Sequence, residues 1–436
     1  MSSDRTVPIE PSGRLVRTLR VEVTQGPDAG KELVSGADAI AVGSAEGNDL
    51  VLGDKTVSRF HLELRRRGGR IVLTDLGSTN GTRVGACLLV SSSAMLDPGG
   101  VISLGATSLR VGDGEIVDVG ETPGRLGDLC GDSAVMRRLM ARAGKVATSE
   151  VSVLLLGESG TGKELVARAL HDASPRASEP FVTVDCGAVT PSLFQSELFG
   201  HERGAFTGAD RQHVGAFERA SGGTVFLDEI GELSPELQVA LLGALERRKI
   251  RRLGGKEEID IDVRLVSATH RDLRAQVNSG AFRLDLFYRV AVVTLSIPPL
   301  RERVEDIPLL VERFLAEAGH AGRLSEVFPS DALKRLAAHA WPGNVRELRN
   351  VVLGTLAMGE PAVLDSAPER LDGADAFGRV KDLAYRDAKR VVMDDFERRY
   401  VQHLLEKTGG NVRQAARDGQ MDRSYLMELM KRHRLR

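Results

Sequence analysis

Val151-Ser152-Val153-Leu154-Leu155-Leu156 runs directly into Gly157-Glu158-Ser159-Gly160-Thr161-Gly162-Lys163-Glu164, and then into Leu165-Val166-Ala167-Arg168-Ala169-Leu170. The first segment is an apolar run of strand length and the last reads as helix, so the GxxxxGK spacing between them sits in the strand–loop–helix context that a phosphate-binding loop needs. Glycines let backbone N–H groups wrap a phosphate, and the start of the following helix adds a favourable dipole. Lys163 is placed to reach the β and γ phosphates of a nucleoside triphosphate. Where Ser or Thr usually holds magnesium, this chain has Glu164.

A second carboxylate site supplies what that position lacks. Gly222-Gly223-Thr224-Val225-Phe226-Leu227-Asp228-Glu229 reads as a buried strand ending in two acids. There Asp228 can hold Mg2+ while Glu229 orients the attacking water, so ATP hydrolysis is the expected chemistry and ATP with Mg2+ the expected cofactors. The apolar runs Val151–Leu156, Phe181–Val184, Val225–Leu227 and Val263–Val266 alternate with helical stretches such as Pro235–Arg247. That alternation predicts a central α/β domain with a largely parallel sheet. Residues 305–358 read as helix only, a lid subdomain.

A chain of 436 residues is long enough for two to three domains. Residues 15–117 read as an all-β domain. Leu19-Arg20-Val21-Glu22-Val23 and Phe60-His61-Leu62-Glu63-Leu64 both alternate with period two. Gly68-Gly69 is placed as a hairpin turn before Arg70-Ile71-Val72-Leu73, and further turns fall at Gly77-Ser78-Thr79-Asn80-Gly81. Short strands with glycine turns predict a β-sandwich. Gly112 to Gly124 reads as a connector, and Glu360 to Gly378, rich in Ala, Asp, Gly and Pro, as a second. Residues 379–436 read as helical. There, Asn411 and Asp422 are plausible N-caps of two short helices.

Composition removes several classes. Apolar residues make up 42% of the chain and charged residues 28%, which is ordinary for a globular protein. No run approaches the roughly 20 apolar residues of a membrane helix, and Met1 to Arg20 holds no signal-peptide core, so a cytoplasmic protein without a membrane partner is expected. Cys87, Cys130 and Cys186 lie far apart without CxxC spacing, which argues against a disulfide framework or a zinc site. The net charge of −2 hides a basic end: from Tyr425 on, Lys431, Arg432, Arg434 and Arg436 face a single acid, Glu428.

Between the two nucleotide motifs lies Glu197-Leu198-Phe199-Gly200-His201-Glu202-Arg203-Gly204-Ala205-Phe206-Thr207-Gly208-Ala209. Physics alone reads it as a glycine-flanked loop with one exposed aromatic. Here the chain resembles the bacterial enhancer-binding proteins, AAA+ activators of sigma-54 RNA polymerase, whose GAFTGA hexapeptide is intact as Gly204, Ala205, Phe206, Thr207, Gly208 and Ala209. The resemblance covers residues 125–358. It implies that this loop contacts the sigma factor, with Phe206 and Thr207 carrying the contact, and that it moves with the nucleotide cycle. It also makes Glu164 a family trait. Arg283 and Arg289 fall where the family has arginine fingers, which complete a neighbouring subunit's site and imply a ring-shaped homo-oligomer, a hexamer. Thr269-His270 matches the first sensor motif. Trp341-Pro342-Gly343-Asn344-Val345-Arg346-Glu347-Leu348 matches the second, making Arg346 a nucleotide contact. Asp185 stands where family members often have an asparagine that restrains the catalytic glutamate, and an ionised Asp cannot donate the same hydrogen bond.

The two ends carry resemblances of their own. Asn411-Val412-Arg413-Gln414-Ala415-Ala416 followed by Asp422-Arg423-Ser424-Tyr425-Leu426 resembles a Fis-type helix-turn-helix. It implies a dimeric reader of upstream double-stranded DNA that uses Arg423, Ser424, Tyr425 and Lys431. Gln420 stands where the turn glycine is expected. Val42-Gly43-Ser44, Ser58-Arg59-Phe60-His61 and Gly77-Ser78-Thr79-Asn80-Gly81-Thr82 resemble a forkhead-associated (FHA) domain. That implies phosphothreonine binding by Ser58, Arg59, Thr79 and Asn80, with input from a phosphothreonine protein or a Ser/Thr kinase. Ser44 replaces the family's phosphate-binding arginine, and losing such a charge-assisted bond weakens binding by about 1.5–3 kcal/mol. His61 is expected to hold the loops rather than the ligand. The expected whole is an FHA-like all-β sandwich, a central α/β AAA+ P-loop ATPase with a helical lid, and an all-α helix-turn-helix. The expected function is an ATP-driven activator that converts sigma-54 polymerase from the closed to the open promoter complex.

Overall fold

The computed structural model describes residues 15–36, 39–67, 70–118, 125–187, 191–320, 322 and 324–359, with residues 393, 397, 400–402, 404, 405, 408, 411–419 and 421–432 near the end of the chain. It divides into two compact units, residues 1–362 and 363–436.

The first unit begins with eleven strands in two facing sheets. They are β1 (Leu15–Gln25), β2 (Glu32–Ser35), β3 (Ala39–Gly43), β4 (Leu50–Val51), β5 (Leu62–Arg67), β6 (Arg70–Asp75), β7 (Thr82–Val84), β8 (Cys87–Leu89), β9 (Ser93–Leu96), β10 (Gly100–Leu104) and β11 (Thr107–Asp118). One sheet has the order β2-β1-β11-β10-β7-β8 and the other β4-β3-β5-β6-β9. Period-two alternation does what the physics of a pleated strand demands. Leu19, Val21 and Val23 turn inward between solvent-facing Arg20 and Glu22, and they meet Leu62, Leu64, Ile71 and Leu73 of the other sheet in one apolar cluster. β5 and β6 pair as the expected hairpin; its Gly68-Gly69 turn lies outside the described residues. The connector read from Gly112 begins too early. β11 continues to Asp118 because β1 supplies an antiparallel partner along that whole length, from Gln25↔Ser108 to Leu15↔Asp118. Residues 119–124 lie outside the described residues.

After the short hairpin β12 (Arg125–Leu126) and β13 (Leu129–Cys130), helix and strand alternate. The elements are α1 (Ala134–Ala147), β14 (Val153–Leu156), α2 (Lys163–Asp172), β15 (Phe181–Asp185), α3 (Pro191–Phe199), α4 (Ala216–Arg219), β16 (Thr224–Asp228), α5 (Pro235–Arg247), the hairpin β17 (Lys249–Ile250) and β18 (Ile259–Asp260), β19 (Arg264–Thr269), α6 (Leu273–Ser279), α7 (Leu284–Val290) and β20 (Val293–Ser296). The main sheet is parallel throughout, in the order β15-β16-β19-β14-β20. Sequence reading missed β20, whose four residues are too short a run to stand out from the helices around it. A three-layer sandwich results: α1 and α2 cover one face through Met136, Leu139, Val166 and Leu170, and α3 to α7 cover the other through Phe194, Phe217, Leu241 and Leu286. With β14 between β19 and β20, and β16 beside β19, the ends of β16, β19 and β14 are neighbours at one edge of the sheet, the edge where parallel sheets place ligand sites.

The lid is helical as expected: α8 (Ile307–Glu317), α9 (Leu324–Val327), α10 (Ser330–Ala338) and α11 (Asn344–Met358). Buried Trp341 donates its indole N–H to the Leu336 carbonyl (2.8 Å) and anchors the turn before α11. In the second unit α12 (Val412–Asp418) and α13 (Arg423–Arg432) pack through Ala415, Ala416, Leu426 and Leu429 onto Val401, Leu404 and Leu405. Asn411 caps α12 as expected, accepting the N–H groups of Arg413 and Gln414 (3.2 Å each), and the Asp422 carboxylate accepts that of Tyr425 (3.4 Å). The connector 360–378 and the turn at Gln420 lie outside the described residues.

Candidate functional site

The loop after β14 has the backbone its sequence demands. Gly160 and Gly162 take positive φ (+76° and +102°), which only glycine adopts freely, and Gly162 begins α2. A Cβ at Gly162 would meet no atom within 4 Å, whereas one at Gly160 would lie 2.3 Å from the Gly343 carbonyl oxygen. Lys163 is 7% exposed, and its ammonium donates to the Gly157 carbonyl and to Glu229 Oε1, 3.1 Å each. A lysine folded back over a glycine loop that leads into a helix fits the triphosphate of a nucleotide. Glu164, on the first turn of α2, is exposed.

The ends of β16 and β19 bring the acids and the first sensor motif to this lysine. Glu229 has φ of +54°, an unfavourable conformation for a residue with a Cβ, and four donors hold it there. They are Lys163, the His270 ring (Nδ1, 2.7 Å), the His270 N–H (3.2 Å) and the Thr269 hydroxyl (3.4 Å). Burial works against the charge, yet the bonds from His270 and Lys163 outweigh it and keep the carboxyl below its ordinary range. Asp228 goes the other way: burial, and then the neighbouring Glu229 charge, push its carboxyl up. A bound divalent cation would relieve that repulsion, so the donor set fits Mg2+. Asp185 does not take the asparagine's part; its carboxylate accepts the Gly187 N–H (2.8 Å), and His270 occupies Glu229 instead.

The lid grips the other side of the loop. Val345 and Arg346 donate backbone N–H groups to the Gly160 carbonyl (3.0 and 3.3 Å), and the Arg346 guanidinium reaches the Ser159 hydroxyl (3.1 Å). Sequence reading missed three partners here. Arg301 makes a two-pronged pair with Glu158, Asn344 donates to Glu158 and to the Ser159 carbonyl, and buried Arg303 donates to the Thr161 carbonyl (2.8 Å). The Arg301 bond holds the Glu158 carboxyl below its usual range. Asn344 gave one signal, its place in the second sensor motif; nothing local marks Arg301 or Arg303. The two finger candidates stand apart from this cluster: Arg283 chelates Asp285 (3.0 and 2.6 Å) and Arg289 donates to the Leu245 carbonyl (2.9 Å).

Comparison with known proteins agrees with this arrangement. Residues 129–296 match the family profile described as "Sigma-54 interaction domain", and residues 301–370 match "AAA+ ATPase lid domain". The chain is similar to the transcriptional regulatory protein GlrR of Escherichia coli K12, 47% identical over 306 residues that span 70% of this chain and 67% of that protein. It is also similar to the response regulator PilR of Pseudomonas aeruginosa, 43% identical over 74% of this chain and 72% of that protein. The chain belongs to the sigma-54 activator family. A solved structure of NtrX from Brucella abortus in complex with ATP is 37% identical, covers 71% of this chain and 70% of its own, and superposes with a TM-score of 0.50. Residues 22–115 match the profile "Inner membrane component of T3SS, cytoplasmic domain".

In this activator the hexapeptide is a closed turn. Gly204 donates to the Ala209 carbonyl (2.8 Å) and Ala209 to that of Phe206 (3.0 Å), with Gly204 and Gly208 at φ of +80° and +99°. Ala205 is half-buried, Ala209 is buried and Thr207 is exposed. Phe206 is 38% exposed and rests edge-on against His201, with ring centroids 4.9 Å apart. At the loop's base Arg252 binds Glu218 (2.9 and 2.6 Å) and Glu202 (2.8 Å).

The sandwich loops are also brought together. The Ser58 hydroxyl accepts the Thr79 N–H (2.9 Å), and Asn80 donates to the Thr56 carbonyl (2.8 Å). Arg59, Thr79 and Asn80 are exposed, while buried His61 accepts the Ser58 N–H at Nδ1 (3.1 Å) and donates from Nε2 to the Gly81 carbonyl (3.2 Å). His61 therefore holds the loops, as its sequence context suggested. Burial pushes its imidazole below the ordinary histidine value, so the folded chain keeps it neutral. The unfolded chain protonates it near pH 6.5, so its contribution to stability is intact above that pH and lost as pH falls below it, at up to about 1.4 kcal/mol per pH unit. Calorimetric melting of the sandwich between pH 7.5 and 5.5 checks this. The drop is expected to be smaller in His61→Gln, and an unchanged slope would refute the assignment. On α13, Arg423, Tyr425 and Lys431 are exposed; the Ser424 side chain lies outside the described residues.

Proposed function

We propose that this activator binds ATP between the phosphate loop and the lid, hydrolyses it, and uses the cycle to drive sigma-54 RNA polymerase from the closed to the open promoter complex. The observation that carries the reading is the meeting of Lys163 and Glu229 at 3.1 Å, in a chain that also presents an exposed Phe206-Thr207 pair. Gly157 to Glu164 cradle the phosphates, Lys163 neutralises them, and Ser159, Thr269, His270 and Arg346 report their state. Asp228 would hold Mg2+, which supplies charge neutralisation on the phosphate oxygens when bound. Glu229, leaving the bonds of His270 and Lys163, orients and deprotonates the water. Arg283 and Arg289 act on a neighbour's site, which makes the working form a ring, a hexamer. Gly204 to Ala209 contact the sigma factor. Arg423, Ser424, Tyr425 and Lys431 of the tail read upstream DNA as a dimer, and Ser58, Arg59, Thr79 and Asn80 of the sandwich take a phosphothreonine from a partner protein or kinase. The protein works in the cytoplasm.

The deciding experiment is a band-shift of the full chain with the sigma factor, with and without an ATP transition-state analogue, comparing wild type with Thr207→Ala. The expected complex needs both the analogue and Thr207. Normal turnover with no complex, or a complex indifferent to Thr207→Ala, overturns the polymerase reading while leaving the ATPase intact.

A further inference from the structure

The phosphate loop carries a charge at odds with its ligand. Glu158 puts a carboxylate into a loop that cradles a polyanion, and like charges at close range repel. The lid side of the molecule occupies both oxygens of that carboxylate. Arg301 Nη1 donates to Oε2 (2.8 Å) and Nη2 to Oε1, while Asn344 Nδ2 donates to Oε2 (3.1 Å). Asn344 also donates to the Ser159 carbonyl (3.1 Å) and accepts the Leu300 N–H (2.8 Å). One fully buried side chain thus ties the start of α11 to the phosphate loop and to the segment that bears Arg301. It does so from φ of +52°, a left-handed backbone that asparagine tolerates better than most residues.

A second attachment of the lid is of a different kind. Asp306, 0% exposed, accepts the N–H groups of Asp132 (2.7 Å) and Ser133 (2.6 Å) and the Ser133 hydroxyl (2.8 Å), which fixes the start of α8 to the start of α1. A buried carboxylate with three donors is costly to release. The Glu158 attachment is open to water instead: the Arg301 side chain is 27% exposed and that of Glu158 43%. Water replaces the bonds of an exposed ion pair at little cost.

We infer that Glu158 is a positioning residue: with Arg301 and Asn344 it forms a clasp that holds the lid over the phosphate loop, and the opening of this clasp sets how fast ADP leaves. Asp306 stays engaged and serves as the pivot. The role of the clasp rests on the reading, proposed above, that nucleotide lies between loop and lid. It gives the carboxylate a use that offsets its repulsion of the phosphates, and the sign of the effect separates the two. If Glu158 acted on the ligand by charge alone, removing the charge would slow the departure of ADP. As part of a clasp, removing it speeds departure.

The test loads the full chain with fluorescent ADP, chases it with unlabelled ADP and follows release by stopped flow. Glu158→Gln should release the probe about threefold faster than wild type, the scale of an ion pair partly open to water, although the loop has lost a negative charge. Arg301→Lys keeps the positive charge but not the two-pronged geometry. It should also release about threefold faster, where charge alone predicts no change. Because both substitutions break one contact, the double variant should be little faster than either single. Release unchanged or slowed in Glu158→Gln overturns the clasp, as does a double variant whose acceleration is the product of the two singles. Should Glu158→Gln melt well below wild type, Arg301→Lys decides by the same criterion. Wild type that takes up no probe overturns the nucleotide reading and the clasp with it. Probe that binds but leaves both variants at the wild-type rate overturns the clasp alone.

Discussion

Glu229→Gln should bind ATP as tightly as wild type and release phosphate about 10²–10⁴ times more slowly, the range by which a positioned general base accelerates a proton transfer. The substitution preserves shape, and its one carbonyl oxygen can still accept from the His270 and Thr269 side or from Lys163, while its NH2 cannot accept in place of the other oxygen. What it removes is the basic oxygen. The carboxyl is held below its ordinary range in this structure, hence ionised at neutral pH and ready to take a proton once it leaves its partners. Fluorescent-nucleotide titration and a phosphate-release assay on the same preparation separate binding from turnover. Turnover within twofold of wild type would remove Glu229 from the chemistry, and lost binding would mean that it supports the loop instead.

Arg283→Ala and Arg289→Ala should each lower turnover by about 10³–10⁵, the usual worth of an arginine finger. The structure gives a sharper way to ask where they act. Arg283 spends its guanidinium on Asp285 and Arg289 on the Leu245 carbonyl, while Lys163 and Glu229 meet each other without either arginine. If the fingers serve a neighbour, a chain lacking Arg283 has a sound nucleotide site and a chain bearing Glu229→Gln has a sound finger. Mixing the two inactive proteins should therefore restore turnover, because some Arg283→Ala sites receive a finger from a Glu229→Gln neighbour. Additive inactivity across all mixing ratios would place the arginine within its own chain's site, or in a purely structural pair with Asp285.

Much of this protein was legible before any coordinates. The phosphate loop could be read because strand, loop and helix are contiguous, and glycines at positive φ leave a mark that no other residue type leaves. The place of Asp228-Glu229 at a strand end could be read because the apolar run Val225–Leu227 stops there. The alternation of Leu19, Val21 and Val23 sufficed for a sandwich face, because the pleat fixes which side each residue meets. Asn411 as a helix cap followed from a hydrogen bond between near neighbours. These features share one property: their partners lie within a turn or a strand of them, so local sequence alone determined them.

The tertiary structure decided the rest. β15 and β19 both flank β16, so sheet order brings Asp185 and His270 equally near; only the geometry at the strand ends, with Asp185 turned to the Gly187 N–H, leaves Glu229 to His270. The grip of Arg301 on Glu158 joins residues 143 apart, and that of Asn278 on Phe60 joins residues 218 apart. Nothing about an isolated arginine or asparagine announces such a partner. Even Phe60, read correctly as apolar and inward-turning, was bound to the wrong core, because periodicity tells a side chain to be buried but not which domain will bury it. Hydrophobic burial is non-directional and only packing assigns the partner, so the sequence could specify each module while the contacts between modules waited on the fold.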